Sequence, residues 1–185
     1  MINEKELPKR KSIRLKEFDY SKNGTYFVTI STADRKFILW DVEKTKEKLE
    51  TFFVYNVGAN CVRPSNVPLS KIGQLVDNEI QNLKTVYTAV TVEKYCIMSN
   101  HIHLIIGILP DKNGRTQSAP TLSRVVKQFK GKVTKNLGFS IWQRSFLDRI
   151  IRNQKGYDEV WKYIEDNPYK YFYERKKLQE KLRKE

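Results

Sequence analysis

The chain has 185 residues, 39% hydrophobic and 12% aromatic, enough for one domain with a sizeable core and too apolar for wholesale disorder. Thirty-five Lys and Arg against 21 Asp and Glu leave a net charge of +14, which suits polyanions such as nucleic acid or an anionic membrane surface. No run approaches the roughly 18 apolar residues of a membrane span, "MINEKELPKRKSIRLKEF" lacks the apolar core of a secretory signal, and two cysteines without a CxxC spacing make no disulfide framework.

In chain order, residues 1–16 form a basic extension. "GTYFVTIST" at 24–32 follows the turn-like "SKNG" and mixes aromatic with β-branched residues, which predicts a strand. Residues 37–68 show no readable period. "KIGQLVDNEIQNLKTVY" places Ile72, Leu75, Val76, Ile80 and Leu83 at helical spacing behind Ser70, a suitable N-cap. "VTVEKYCIMS" and "HIHLIIGIL" read as two strands joined by a short "SN" turn, and "DKNGRTQSAP" at 111–120 has the composition of a mobile loop.

Thr121 then caps a helix with Leu122, Val125, Val126, Phe129, Val133 and Leu137 on one face and Arg124, Lys127, Lys130 and Lys135 on the other. A last helix is predicted over about 155–167, stopped by Pro168, because proline disfavours helical geometry at the residue before it. Residues 169–185 make a second basic extension, partly helical. Strand, helix, two strands and helix predict a single domain over 1–185, a ferredoxin-like α+β sandwich with helices mainly on one face of an antiparallel sheet.

The only two histidines of the chain share the apolar stretch "YCIMSNHIHLIIGI". On a strand His101 and His103 point to one face and Ile102 and Leu104 to the other, so the imidazoles are close enough to share a metal ion. A buried, hydrogen-bonded pair is the competing reading. Two inward polar rings on so apolar a strand need a partner, and two ligands alone fix no particular metal.

In "GYDEVWKYIEDNP", Tyr163 and Asn167 are four apart and stack on one helical face. A tyrosine can act as a covalent nucleophile, and an amide oxygen can ligate a hard cation. Tyrosines on amphipathic helices are usually packing residues. Among the ten tyrosines, Tyr157, Tyr169, Tyr171 and Tyr173 compete for the role.

Four blocks carry a resemblance: "RKSIRLKEFDYSKNGTYFVTIST", "YCIMSNHIHLIIGI", "TLSRVVKQFKGKVTK" and "IWQRSFLDRIIRN" with its downstream "YIEDNP". In content and order they resemble the IS200-like Y1 transposases, and more closely the REP-associated tyrosine transposases. The resemblance implies that His101, Ile102 and His103 form the family's His-hydrophobe-His (HUH) motif. It implies that Tyr163, five residues before Pro168, is the catalytic tyrosine and that Asn167 adds a further metal ligand. The family's "MPNH" is "MSNH" here, and Leu147 stands where an aromatic often follows "WQRSF"; neither change touches the ligands.

An HUH-nuclease fold with Mg²⁺ or Mn²⁺ on the histidines is thereby implied, imidazole favouring Mn²⁺. So is cleavage and rejoining of single-stranded or hairpin DNA through a 5′-phosphotyrosine, in the cytoplasm at the nucleoid and away from membranes. Nine Lys or Arg and one acid, Asp148, occupy residues 121–155. Arg124, Lys127, Lys130, Arg144, Arg149, Arg152 and Trp142 are the candidate DNA contacts, although Trp142 and Phe146 suit a core equally well. A monomer is expected ahead of a homodimer. Two alternatives stand beside this reading: a hairpin-DNA-binding regulator that has lost the chemistry, and a metal hydrolase of small phosphoesters, for which the basic excess has no evident purpose.

Overall fold

The computed structural model describes residues 23–41, 43–45, 67–109 and 120–182. The N-terminal extension at 1–16, the loop at 111–119 and most of 37–68 lie outside the described residues. The elements run β1 (Gly24–Ser31), α1 (Lys71–Val86), β2 (Val90–Ile97), β3 (His101–Ile108), α2 (Leu122–Leu137), β4 (Leu147–Ile151) and α3 (Gln154–Leu182). The four strands form one antiparallel sheet in the order β2-β3-β1-β4. This is the ferredoxin-like split βαβ arrangement with one helix added at its end.

The first two helices cover one face. Tyr26, Val28 and Ile30 of β1 and Ile102, Leu104, Ile106 and Ile108 of β3 alternate into a core completed by Val76 and Ile80 of α1 and Val125, Phe129 and Val133 of α2. Ser70 caps α1, accepting from the Gly73 amide at 3.0 Å while its hydroxyl donates to the Ile38 carbonyl at 2.6 Å. Such a cap contributes about 1 kcal/mol. Gly73 is required by this contact, because a Cβ there would stand 2.0 Å from the Leu39 carbonyl oxygen. Thr121 caps α2, and Gly138, at φ 80, ends it in the left-handed region.

In β2, Val90 and Val92 point into this core and so do Tyr95 and Ile97, an alternation that skips one residue. A bulge between Val92 and Lys94 absorbs the skip and turns Lys94 and Cys96 to the opposite face. There Lys94 lies 3.6 Å from Glu165 and 4.4 Å above the Trp161 ring, tying α3 to the sheet.

Three of the four strands are legible in sequence; β4 is not. It is a five-residue edge strand in which Asp148 and Arg149 interrupt the apolar pattern, and it exists through pairing with β1 from Thr25↔Ile151 to Thr29↔Leu147.

The third helix crosses the other face, where Val160 and Ile164 bury against Ile105, with Phe27, Cys96 and Ile151 around them. It opens on Asn153, whose Oδ1 accepts from the Gly156 amide at 2.8 Å. The expected stop at Pro168 does not occur, and α3 continues to Leu182 with Pro168 inside it. An interior proline costs about 3 kcal/mol through a lost hydrogen bond and a clash. Beyond the proline, Tyr171 meets Trp40 edge-on at 5.2 Å, in a small cluster with Met98 that ties this part of the helix to the domain.

Candidate active site

His101 and His103 open β3 on the face that α3 crosses. The Asn100 side chain donates through Nδ2 to the Arg35 carbonyl at 3.3 Å, which leaves its Oδ1 facing His101 Nδ1 at 2.7 Å. An amide oxygen only accepts, so His101 Nδ1 carries the proton and Nε2 presents a lone pair. His103 Nδ1 lies 2.8 Å from Thr29 Oγ1 on β1. Both Nε2 atoms therefore face one another, 3.1 Å apart. The His101 Nε2 lone pair accepts the His103 Nε2 proton when the Thr29 hydroxyl donates to Nδ1, and with the proton on Nδ1 instead both rings turn a lone pair to one point, a donor set that fits a divalent metal ion.

Among the described residues, no third His, Cys, Asp or Glu completes a cluster with the pair. Among the described residues a further protein ligand would be an amide, hydroxyl or main-chain oxygen. Asn167, half-buried on α3 one turn beyond Tyr163, is placed on the helix that faces the pair. Cys96 sits directly across from His103 in the β2–β3 register, but burial pushes its thiol up to about 12 and keeps it protonated. Burial pushes His101 down to about 4, helped by the Arg35 charge, and His103 down to about 3, helped by His101. Both rings are thus neutral at pH 7, the form that binds metal.

Tyr163 leans edge-on over His103, ring centres 5.3 Å apart, and over Phe27 at 5.8 Å, while Phe27 stacks on His103 at 5.2 Å. The anchoring of α3 by Val160 and Ile164 leaves Tyr163 on the helix flank, 44% exposed. Its rivals are placed elsewhere. Tyr157 is pushed up to about 12 by burial and by a hydrogen bond to Glu93, and Tyr171 packs on Trp40. The side chains of Tyr169 and Tyr173 lie outside the described residues.

The candidate DNA contacts divide. Arg124 and Lys127 are exposed on α2, across the sheet from the histidines. Trp142 is not a surface ring: it is 6% exposed and packs against Phe129 at 5.7 Å, because the stretch before β4 closes the end of the main core. Lys130 is half-buried and donates to the carbonyls of Gln143, Arg144 and Ser145, so it organises the segment carrying the exposed Arg144. Arg152 is exposed just past β4. Arg149, also exposed, lines an open cleft of about 440 Å³ with Leu147, Glu159 and Tyr163.

Three residues of the site are silent in sequence. Thr29 and Asn100 hold the rings; Thr29 is polar between the apolar Val28 and Ile30, and Asn100 is a turn residue beside His101. Arg35 stands in a short 3-10 turn where Asp34 and Arg35 have φ 53 and 52. A non-glycine residue in that region costs on the order of 1–2 kcal/mol, a strain that clusters at functional sites. The turn is held by Thr32, whose hydroxyl lies 2.9 Å from the carbonyls of Lys36 and Asn100 alike.

Fold and site define a ferredoxin-like α+β domain in which a His-Ile-His strand lies beneath a tyrosine-bearing helix. No protein-family model matches the chain. A Haemophilus influenzae protein assigned as a REP-associated tyrosine transposase is 32% identical over 164 residues, 84% of this chain and 76% of that protein. The chain belongs to the REP-associated tyrosine transposase family. A second Haemophilus influenzae protein, uncharacterised, is 29% identical over 178 residues, 86% of this chain and 88% of its own length. The solved structure of a REP-associated tyrosine transposase bound to a REP hairpin superposes with a TM-score of 0.54 at 21% identity, covering 85% of this chain and 74% of that one, and shares the fold.

Proposed function

We propose that this protein cuts and rejoins single-stranded DNA through a covalent phosphotyrosine at Tyr163, at sites beside a hairpin. The observation that carries the reading is the apposition of Tyr163 to His103 at 5.3 Å, with the two histidine Nε2 atoms turned to a common point. The hairpin in the solved structure of the similar transposase supports the choice of substrate.

Mg²⁺ or Mn²⁺ held by His101, His103 and Asn167 would supply neutralisation and orientation of the scissile phosphate. The remaining work falls to the chain. Tyr163 Oη attacks phosphorus in line with the departing 3′ oxygen: the Oη–P bond forms, the P–O3′ bond breaks, the phenol proton passes to solvent and the 3′ oxygen takes one up. The DNA stays attached through its 5′ phosphate. One phosphoester replaces another, so an incoming 3′ hydroxyl reverses the step without ATP. Arg35, whose charge is felt at His101, adds a cation beside the phosphate, and the rigid sheet holds the geometry.

The test mixes the protein with a randomised pool of labelled hairpin-bearing single strands in Mn²⁺ or EDTA. A denaturation-resistant adduct is expected with metal only, and none with Tyr163→Phe. An adduct that persists in Tyr163→Phe would place the chemistry on another residue.

A further inference from the structure

The cleft beside Tyr163 has no part in the chemistry above. Its floor is Phe27 and Thr29 of β1 with Leu147, Asp148 and Arg149 of β4, and its far wall is Glu159, Val160 and Tyr163 of α3. Phe27 pairs with Arg149 and Thr29 with Leu147 in the register, so these side chains share the histidine face. Leu147 is 56% exposed, and with Tyr163 it leaves a large apolar side chain open to solvent there. A volume of about 440 Å³ lies in the range of small-ligand sites.

Position points to the occupant. Thr29 both holds His103 and lines the cleft, and β4 lies two strand spacings, roughly 10 Å, from β3. A strand whose phosphate sits between His103 and Tyr163 therefore has one neighbouring nucleotide within reach of the cleft. In-line attack sends the 3′-leaving side away from Tyr163. The nucleotide that keeps the 5′ phosphate stays tethered to the tyrosine that forms the wall.

We infer that this cleft seats the first unpaired nucleotide on the 3′ side of the cut, an inference that rests on the phosphotyrosine reading. Phe27, Leu147 and the Tyr163 ring offer its base apolar surface, and Arg149 meets the backbone phosphate beyond it. The Glu159 carboxylate can only accept, so it favours a base with an exocyclic amine and disfavours thymine, whose corresponding group is an acceptor.

Adducts trapped from the randomised pool are sequenced for the wild type and Glu159→Gln. Glu159 is exposed one turn before Tyr163, so the change should leave folding intact. The expected result is discrimination of about 10-fold against thymine at the position just 3′ of the cut, falling to about twofold or less in Glu159→Gln. Equal base distributions for the two proteins at that position would overturn the assignment.

A parallel arm needs no cleavage. Tyr163→Phe protein is irradiated with hairpin-bearing strands carrying 5-iododeoxycytidine at successive positions, and cross-linked peptides are mapped. Cross-links from one position to Phe27 or to the 147–151 segment support the cleft even if the wild type forms no adduct, an outcome that would sink the phosphotyrosine reading alone. Cross-links confined to other surfaces overturn the cleft.

Discussion

Tyr163 stands edge-on to His103 with ring centres 5.3 Å apart, although the two residues sit on different elements separated by 60 positions in the chain. The contact is made within one chain, because α3 is pinned on both sides of Tyr163, by Val160 and Ile164 against Ile105 and by Tyr171 against Trp40. On the proposed reading, the tyrosine acts with the histidines of its own chain, and this has a direct consequence. Mixing His101→Ala protein with Tyr163→Phe protein should give no adduct above about 1% of wild type, whereas a helix exchanged between chains would restore a sizeable fraction.

Asn100 sets which nitrogen of His101 is bare, and Thr29 fixes the orientation of the His103 ring. Removing the partner of a ligating histidine typically lowers metal affinity by about 10- to 100-fold. Thr29→Val and Asn100→Ala should each weaken Mn²⁺ binding within that range, measured by calorimetry or by Mn²⁺ spin resonance on uncleaving Tyr163→Phe protein. The wild type should bind Mn²⁺ more tightly than Mg²⁺, since imidazole suits the softer ion. Overlapping titration curves for the two metals would contradict that order.

The two histidines also make a pH prediction. Burial holds them at about 4 and about 3, below their ordinary 6.5, so below pH 6.5 the unfolded chain binds more protons than the folded one. Their contribution is therefore present in full above pH 6.5 and is lost progressively as pH falls towards 4. Urea unfolding at about pH 7.5, 6 and 5 should show declining stability, with a shallower decline in the His101→Asn, His103→Asn double variant. Equal slopes for both proteins would mean that the rings are more solvated than the structure has them.

Lys130 offers a fourth test. Its ammonium holds the carbonyls of Gln143, Arg144 and Ser145, and burial pulls its proton affinity down. Lys130→Met should cost about 1–3 kcal/mol in stability through loss of the charge-assisted hydrogen bonds to these carbonyls, and lower DNA affinity by displacing Arg144. Arg144→Ala should lower DNA affinity with stability within about 0.5 kcal/mol of wild type. If the two variants weaken DNA binding without separating in stability, Lys130 is a direct contact after all.

The elements the sequence itself determined are those whose signal is local. Aromatic and β-branched residues mark β1, β2 and β3, a 3.6 period marks α1 and α2, and Ser70 and Thr121 cap where side-chain chemistry says they should. The shared face of His101 and His103 follows from strand geometry alone, and the spacing of Tyr163 and Asn167 from helix geometry. Tertiary structure decided the rest, because the deciding contacts join residues far apart in the chain. Five residues with Asp148 and Arg149 among them become β4 only when β1 offers its edge. Pro168 lies inside a helix that carries Tyr171 onto Trp40 beyond it. Trp142 is core and Lys130 a brace because a loop folds back over them. Thr29 becomes the partner of His103 only once β1 pairs with β3, and a hydrogen bond between residues so far apart in the chain leaves no period in a sequence.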